Sequence, residues 1–425
     1  MTRKLLVRWG VGVAAVALLA ACSNSSSGST SGSSSAPATS TGSSTSSSTG
    51  GSADVLGTPN AATGTPITVG MLNLEQGPVT FPEMREGVQA AIAYINAYKG
   101  GLGGHPLKLV TCVTDGQPAT SARCANQILD KHPAFIIGGA DTGAPGSMPV
   151  WQRANLAYVG GGSFTPAELN YTNGVIFSAI AGADNAAGVV YAKSQGVNSG
   201  IVVYTSDTEG TRSGLAVQGN MKKVGMNPVS GVPVPPTAAD VSTQAATVVK
   251  AKRDMVYVTT PVGCASMLKT LKQLGSKAKV FVVDPCTDPR VIAAAGGGAD
   301  GMIWGAPVDL PNSTPDATLY MAALQKFAPK DVVIDSITAI GFQSVMNIQA
   351  ALNSIADNLT TASILSAFRT GSNHPNFMGH PYTCDGKQLP GSTTVCNAWQ
   401  HIIQWSGGKA SYLGGYVNPV SAMGS

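Results

Sequence analysis

Residues 135–166 read FIIGGADTGAPGSMPVWQRANLAYVGGGSFTP, and the reading of this stretch decides the fold. Two brief apolar runs, Phe135 to Gly139 and Leu156 to Gly160, each lead into a loop of small polar residues, and Pro149 to Asn155 spells a helix between them. Short buried strands joined through a helix are parallel strands. In open α/β sheets, ligands bind beyond the carboxyl ends of the strands. There glycines admit close backbone approach, and a helix N-terminus offers free N–H groups. Asp141, Thr142 and Gly143 follow the first run, and Gly162, Ser163 and Thr165 follow the second. The same residue types cap helices and build turns. A capping hydroxyl and free N–H groups can serve a ligand carboxylate at the same time.

Upstream, Ile67 to Asn73 reads as a strand. Met84, Val88, Ala91, Ile92 and Ile95 keep helical spacing until Gly100 and Gly101 stop the helix, Leu107 to Thr114 is the next strand, and a helix from about Ala119 to Lys131 follows. This is a right-handed βαβαβ series. Downstream, strands near Ile201 to Thr205, Val229 to Val234, Met255 to Thr259, Val280 to Val283 and Met302 to Trp304 form a second series with helical segments between them. Two wound halves imply two lobes and a cleft. At the rim of the second sheet stand Asp207 and Glu209, Thr260 and Asp284, each just after a strand. Three acids opposite loops rich in N–H groups include one that meets a cation.

The N-terminus carries Arg3, Lys4 and Arg8 and then an apolar segment, Val11 to Leu19, too short to span a bilayer and suited to export. It ends Leu19-Ala20-Ala21-Cys22, which resembles the bacterial lipoprotein processing box, so residues 1–22 are expected to be a signal peptide and box with Cys22 acylated. Two acyl chains hold a protein stably at a membrane surface. Residues 23–66 are dominated by Ser, Gly, Thr, Ala and Pro, which cannot bury enough apolar surface to offset ordering entropy, and so form a tether. The 425-residue chain is 43% hydrophobic and 11% charged with net charge +4, and its basic residues are dispersed, which argues against nucleic acid as a partner.

A catalytic constellation is missing from the sequence pattern. There is no G-x-S-x-G, H-E-x-x-H, P-loop or C-x-x-C in the folded part. Gly296 to Gly301 satisfies G-x-G-x-x-G but lies after a helix and before a strand, so it reads as a helix stop and turn. His105, His132, His374, His380 and His401 fall at loop-like places without metal-ligand spacing, and neither a metal nor a cofactor is expected. Cys22 aside, six cysteines allow fifteen pairings. Proximity favours Cys112 with Cys124, Cys264 with Cys286, and Cys384 with Cys396 in an exported, disulfide-permissive setting.

The motifs VGMLN (69–73), Gly77-Pro78, AAIAYINA (90–97), GGLGGHPLKLV (100–110) and FIIGG (135–139), then MVYVTT (255–260), MLKTLKQLG (267–275) and GADGM (298–302), occur in the order seen in the branched-chain amino acid binding type of periplasmic binding protein. The chain beyond the tether resembles that family nearly throughout. The resemblance implies a type I periplasmic binding protein fold: α/β, with two Rossmann-like lobes of parallel sheet joined by a three-crossing hinge. Crossings are expected near Ile180, Pro307 and Met378, giving lobe I as 67–180 and 308–377 and lobe II as 181–307 and 378–425.

By resemblance, Thr142, Ser163 and Thr165 fall in loops that hold a ligand carboxylate, and Asp284 falls at the position that holds an ammonium group. The sequence departs from the family pattern at Glu75-Gln76-Gly77-Pro78, where Ser-Gly is usual, and at Thr208 and Glu209, where an aromatic residue is usual; Phe81 is the candidate apolar wall. An amino-acid-like solute, an amide and another small metabolite all stay open. The implied protein is an extracytoplasmic, monomeric, lipid-anchored solute-binding component of an ABC importer, partnered by its permease. A ligand-sensing lipoprotein and an exported hydrolase are the alternatives.

Overall fold

The first sheet has the order β2-β1-β3-β4-β5, all parallel, from β1 (Ile67–Leu74), β2 (Leu107–Thr114), β3 (Ile136–Gly138), β4 (Tyr158–Gly162) and β5 (Gly174–Ser178). Its helices are α1 (Pro82–Tyr98), α2 (Pro118–Leu129), α3 (Ala144–Arg153) and α4 (Pro166–Leu169). The computed structural model describes residues 55–423 apart from 78, 181 and 311–313. The signal segment, Cys22 and most of the tether therefore lie outside the described residues. Among those described, no helix is long and apolar enough to cross a membrane.

Burial on both faces explains the short glycine-rich strands. In β3, Ile137 packs with Val69, Met71 and Val159 beneath α1, while its neighbour Ile136 packs with Ile128, Trp151 and Tyr158 beneath α2 and α3. Each such side chain contributes about 1.5–3 kcal/mol when fully buried. Helix α1 starts at Pro82, whose missing N–H costs nothing in a first turn. It buries Met84, Val88, Ala91 and Ile95, and Gly100 and Gly101 follow it at φ +72° and +69°.

The second sheet has the order β12-β11-β10-β9-β8-β6-β7. Strands β6 (Gly200–Thr205), β7 (Val229–Val234), β8 (Met255–Val258), β9 (Lys279–Val282) and β10 (Ile303–Ala306) are parallel, with α5 (Ala183–Ser194), α6 (Thr208–Lys223), α7 (Ser242–Lys250), α8 (Cys264–Gln273) and α9 (Pro289–Ala295) between and around them. The sequence reading lacks the antiparallel edge made by β11 (His401–Ser406) and β12 (Lys409–Tyr412). Helices α10 (Pro315–Phe327), α11 (Ser336–Leu352) and α12 (Thr361–Arg369) return to the core of the first lobe. There α11 lies against α1 at backbone contact. A Cβ on Gly87 would stand 2.2 Å from the Thr338 carbonyl, and one on Gly341 would stand 2.4 Å from that of Met84.

Two boundaries need correction. The tether does not extend to residue 66: Leu56 is buried in the first core, and the Asn60 and Ala62 amides donate to the carbonyls of Ala97 and Asn96 at 3.0 and 2.8 Å. Nor does the chain leave the first lobe at Met378, which is buried in that lobe's core. The segment beyond it runs beside β5. Val395 bridges Ile176, the Cys396 amide donates to the Ile176 carbonyl at 2.8 Å, and the Ala179 amide donates to that of Asn397 at 3.0 Å. The third crossing falls between Asn397 and His401, because this segment extends the first sheet's hydrogen bonding before β11 joins the second.

Cys112–Cys124, Cys264–Cys286 and Cys384–Cys396 are bonded. The second pair spans 22 residues and ties α8 to the loop after β9. Replacing both its cysteines by serine is expected to cost about 2–4 kcal/mol through the freed unfolded chain, read as a lower urea midpoint. An unchanged midpoint would mean that the bond adds no stability.

Candidate functional site

Most residues picked out by the sequence sit at the strand ends but spend their polar groups inside their own lobe. Asp141 points inward: Oδ1 accepts from Thr114, Ser121 and the Gly143 amide at 3.1, 2.8 and 3.1 Å, and Oδ2 accepts from Ser147 at 3.3 Å. Glu75 is held by Arg85 at 2.7 Å and by Asn73 at 3.0 Å. Asp207 caps α6 through the Gly210 amide at 2.8 Å, and that bond holds its carboxyl below the usual range. Glu209 is exposed and paired with Arg212. The Thr260 hydroxyl is buried and accepts the Val262 amide at 3.0 Å.

The loop after β4 behaves similarly. Glu168 Oε2 accepts the Phe164 and Thr165 amides at 2.8 and 2.6 Å and the Thr165 hydroxyl at 3.1 Å, while Oε1 accepts the Tyr158 hydroxyl at 2.7 Å. The N–H groups expected to meet a ligand carboxylate there are thus already engaged by a buried side chain. Thr142 is exposed. Gly162 is packed on Ile180 so tightly that a Cβ would lie 2.0 Å from the Ile180 Cδ1. Ser163 is fully buried and its hydroxyl has no partner. Phe81 meets Phe164 with ring centroids 6.0 Å apart, an apolar corner beside the start of α1.

Asp284 behaves differently. It opens the short 3-10 turn after β9, and its Oδ1 accepts the hydroxyl of Ser336 at 2.8 Å. Ser336 is the first residue of α11, so this bond joins the two lobes. Around it gather acids that the sequence reading passed over. Glu83 lies in the first turn of α1, Asp335 caps α11 through the Thr338 amide at 2.9 Å, and Asp184 lies in the first turn of α5. Their clue in the sequence is shared: each opens a helix, where a carboxylate is the ordinary capping choice and so carries no signal of its own.

The electrostatics of this seam are one-sided. Burial first, then the charge of Asp335, with smaller contributions from Asp184 and Glu83, raises Asp284 to about 8. Burial raises Asp184 to about 7, and burial followed by Asp335 and other nearby acids raises Glu83 to about 7. Burial also raises Asp335. Asp288 alone is held low, by Arg290 at 2.5 Å, and the Arg290 side chain is 86% exposed. Asp284 meets the first lobe at Ser336, and Asp335, Asp184 and Glu83 lie near enough to oppose its ionisation. Such a seam holds protons or a cationic guest.

The described residues include no group of His, Cys, Asp and Glu placed to hold a metal ion. Of the histidines, His401 is not at a loop: it lies buried in β11, where its Nε2 meets Asp309, which also accepts from Tyr416 at 3.1 Å. An open groove of about 750 Å³ lies on the first lobe, lined by Val55, Met321, Leu324, Ala328 and Ile334 among others. Lys330 is its one charged lining residue, and it takes no residue from the strand-end loops.

The model of the periplasmic binding protein family matches residues 66–395. No curated protein matches the chain. Solved structures similar to it include a leucine binding protein from Thermotoga maritima MSB8, 18% identical with a TM-score of 0.65 over 83% of this chain and 99% of that one. A solute binding protein of an ABC transporter from R. palustris, in complex with 4-hydroxybenzoate, is 16% identical with a TM-score of 0.66 over 83% and 95%. A fatty acid ABC transporter substrate-binding protein from Thermomonospora curvata is 19% identical with a TM-score of 0.66 over 86% and 96%. At these identities the likeness is one of fold, and the three ligand classes in those names show how little the fold alone says about the guest.

Proposed function

The chain belongs to the periplasmic binding protein family, and from that premise we propose that it is the extracytoplasmic, lipid-anchored solute-binding component of an ABC importer, capturing an amino-acid-like solute between its lobes by the solute's protonated amine. It is a binding protein and not an enzyme. One observation carries the choice of guest: Asp284, joined across the seam to Ser336, lies among further acids that oppose its ionisation. An ammonium group supplies the missing charge and three donors. The amine end of an amino acid has more support than the carboxylate end, since the amides after β4 are taken by Glu168.

A thermal-shift panel of amino acids, amides, organic acids and sugars tests the reading, because a guest that binds only the folded state raises its melting point by mass action. Amine-bearing compounds are expected to raise it. A rise with sugars or organic acids alone would contradict the proposal.

Capture between lobes also requires movement about the three crossings. Asp284 on the second lobe and Asp335 and Glu83 on the first repel as they ionise, and a cationic guest relieves that repulsion. The radius of gyration in solution scattering is expected to fall on saturation with the amine that scores in the panel. An unchanged radius would count against closure.

Anchoring rests on the box Leu19 to Cys22. Cys22→Ala is expected to move the protein from the membrane fraction to the soluble one. Membrane retention of the variant would sink the anchor.

A further inference from the structure

Where the chain passes between the lobes, two adjacent side chains tie its crossings together. His401 opens β11 opposite Ala306, the last residue of β10, so their rung ends the second sheet's ladder beside two of the crossings. Just beyond Ala306 the chain already belongs to the first lobe. Val308 is buried in that lobe's core, and the Asp309 amide donates to the carbonyl of Met378, in the same core, at 2.7 Å. The bond between His401 Nε2 and Asp309 Oδ1 therefore joins the second lobe to the first. An ionised carboxylate only accepts, so Nε2 carries the proton. Gln400 makes a matching tie, donating from Nε2 to the Ala179 carbonyl just past β5 at 2.8 Å. Residues 400 and 401 thus link the third crossing to the first and to the second.

The surroundings fix this imidazole in place. Its ring centroid lies 3.7 Å from that of Tyr416 and 4.3 Å from that of Tyr412. Both tyrosines also reach the first lobe: the Tyr416 hydroxyl donates to Asp309 Oδ1 at 3.1 Å, and the Tyr412 hydroxyl donates to the Leu310 carbonyl. His401 is 7% exposed, and its Nδ1 has no partner among the described residues. The polar hold on the side chain is thus Asp309. A hydrogen bond weakens steeply as its angle falls below about 120°, so a bond between two bodies that rotate against each other is sensitive to the rotation. Here the pair is made while the lobes also meet through Asp284 and Ser336 at 2.8 Å.

We propose that the His401–Asp309 bond is a clasp on the hinge, made when the lobes are together and broken when they part. His401 is then a positioning residue for capture, acting on the lobes and needing no contact with the solute. The inference rests on capture between lobes as read above, and it is independent of which solute is captured. A clasp raises the closed share of the empty protein, and the apparent affinity of any guest that binds the closed form rises with that share.

Pulsed electron-spin distance measurements on the full chain in detergent, without solute, test this with labels at the exposed positions Met321 on the first lobe and Leu215 on the second. His401→Phe keeps a ring beside Tyr412 and Tyr416 and removes the bond, and Asp309→Ala removes it from the other side. Each is expected to lower the ratio of closed to open lobes by about three-fold or more, the size of a modest pair coupling. The double variant is expected to lower it no further than the stronger single one, since both substitutions delete one interaction. His401→Gln lacks the ring but can still donate to Asp309, and it is expected to recover part of the wild-type ratio, which a purely packing role would not allow. If His401→Phe fails to fold, Asp309→Ala and His401→Gln carry the test. An unchanged ratio in either deletion, or effects that add in the double variant, would overturn the clasp and leave capture between lobes standing. One lobe distance shared by the wild type and every variant, and unmoved by saturation with the amine that scores in the panel, would overturn both.

Discussion

Asp284→Ala is expected to weaken capture of the amine-bearing solute by about 2–5 kcal/mol, the usual cost of leaving a buried charge without its partner. That is a loss of roughly 30-fold to several thousand-fold in affinity. The size follows from position. Asp284 is the carboxylate through which the second lobe touches the first, its Oδ1 accepting the Ser336 hydroxyl at 2.8 Å. A water-exposed carboxylate such as Glu209 has none of this leverage, and Glu209→Gln is expected to change affinity by less than about 0.5 kcal/mol, within the range of ordinary surface substitutions. Calorimetric titration of the two variants separates them. Unchanged affinity in Asp284→Ala removes that residue from the site.

The second large effect is on stability. The thermal midpoint of the ligand-free protein is expected to fall as pH rises from 5 to 8.5. Glu83, Asp184 and Glu168 are raised to about 7 and Asp284 to about 8, burial being the first cause in each. The folded protein therefore binds these protons more tightly than the unfolded chain does, where carboxyl groups titrate near 4. The stabilisation is fully present below about pH 4 and is lost as pH rises through 7 to 8. Each group that is protonated when folded and ionised when unfolded contributes a slope of about 1.4 kcal/mol per pH unit. Saturation with the amine-bearing guest is expected to flatten the decline, because its charge replaces the protons. A midpoint that climbs over this range in the empty protein would show that the fold does not oppose the ionisation of these acids.

Much of the frame was legible because it depends on local period. Ile136 and Ile137 read as a strand, and Met84, Val88, Ala91 and Ile95 as one face of a helix, since burial selects those spacings wherever the chain goes. Pairings of cysteines about a dozen residues apart follow for the same reason of proximity. What escaped depends on direction and on distant partners. Asp141 and Asp284 look alike in sequence, each an acid just past a strand. One turns back within its own lobe to Ser121 in α2 and Thr114 at the end of β2, and the other faces α11 of the opposite lobe. Glu75 has its charge met by Arg85 ten residues on, a match that local spacing does not reveal. The sequence places the third passage near Met378 and not near Asn397, because the Cys384–Cys396 hairpin carries no mark of which sheet it will join. Glu83, Asp184 and Asp335 open helices 82–98, 183–194 and the one following Asp335, and only the fold brings those openings together.

The most direct test of the account is the position of the bound solute in crystals of the protein grown with the amine that scores highest in the thermal-shift panel. The account predicts that solute between the lobes, with its ammonium nitrogen about 2.7–2.9 Å from the Asp284 carboxylate. A solute lodged instead in the apolar groove by Val55, Met321 and Ile334, or one between the lobes with its nitrogen turned away from Asp284, would contradict it.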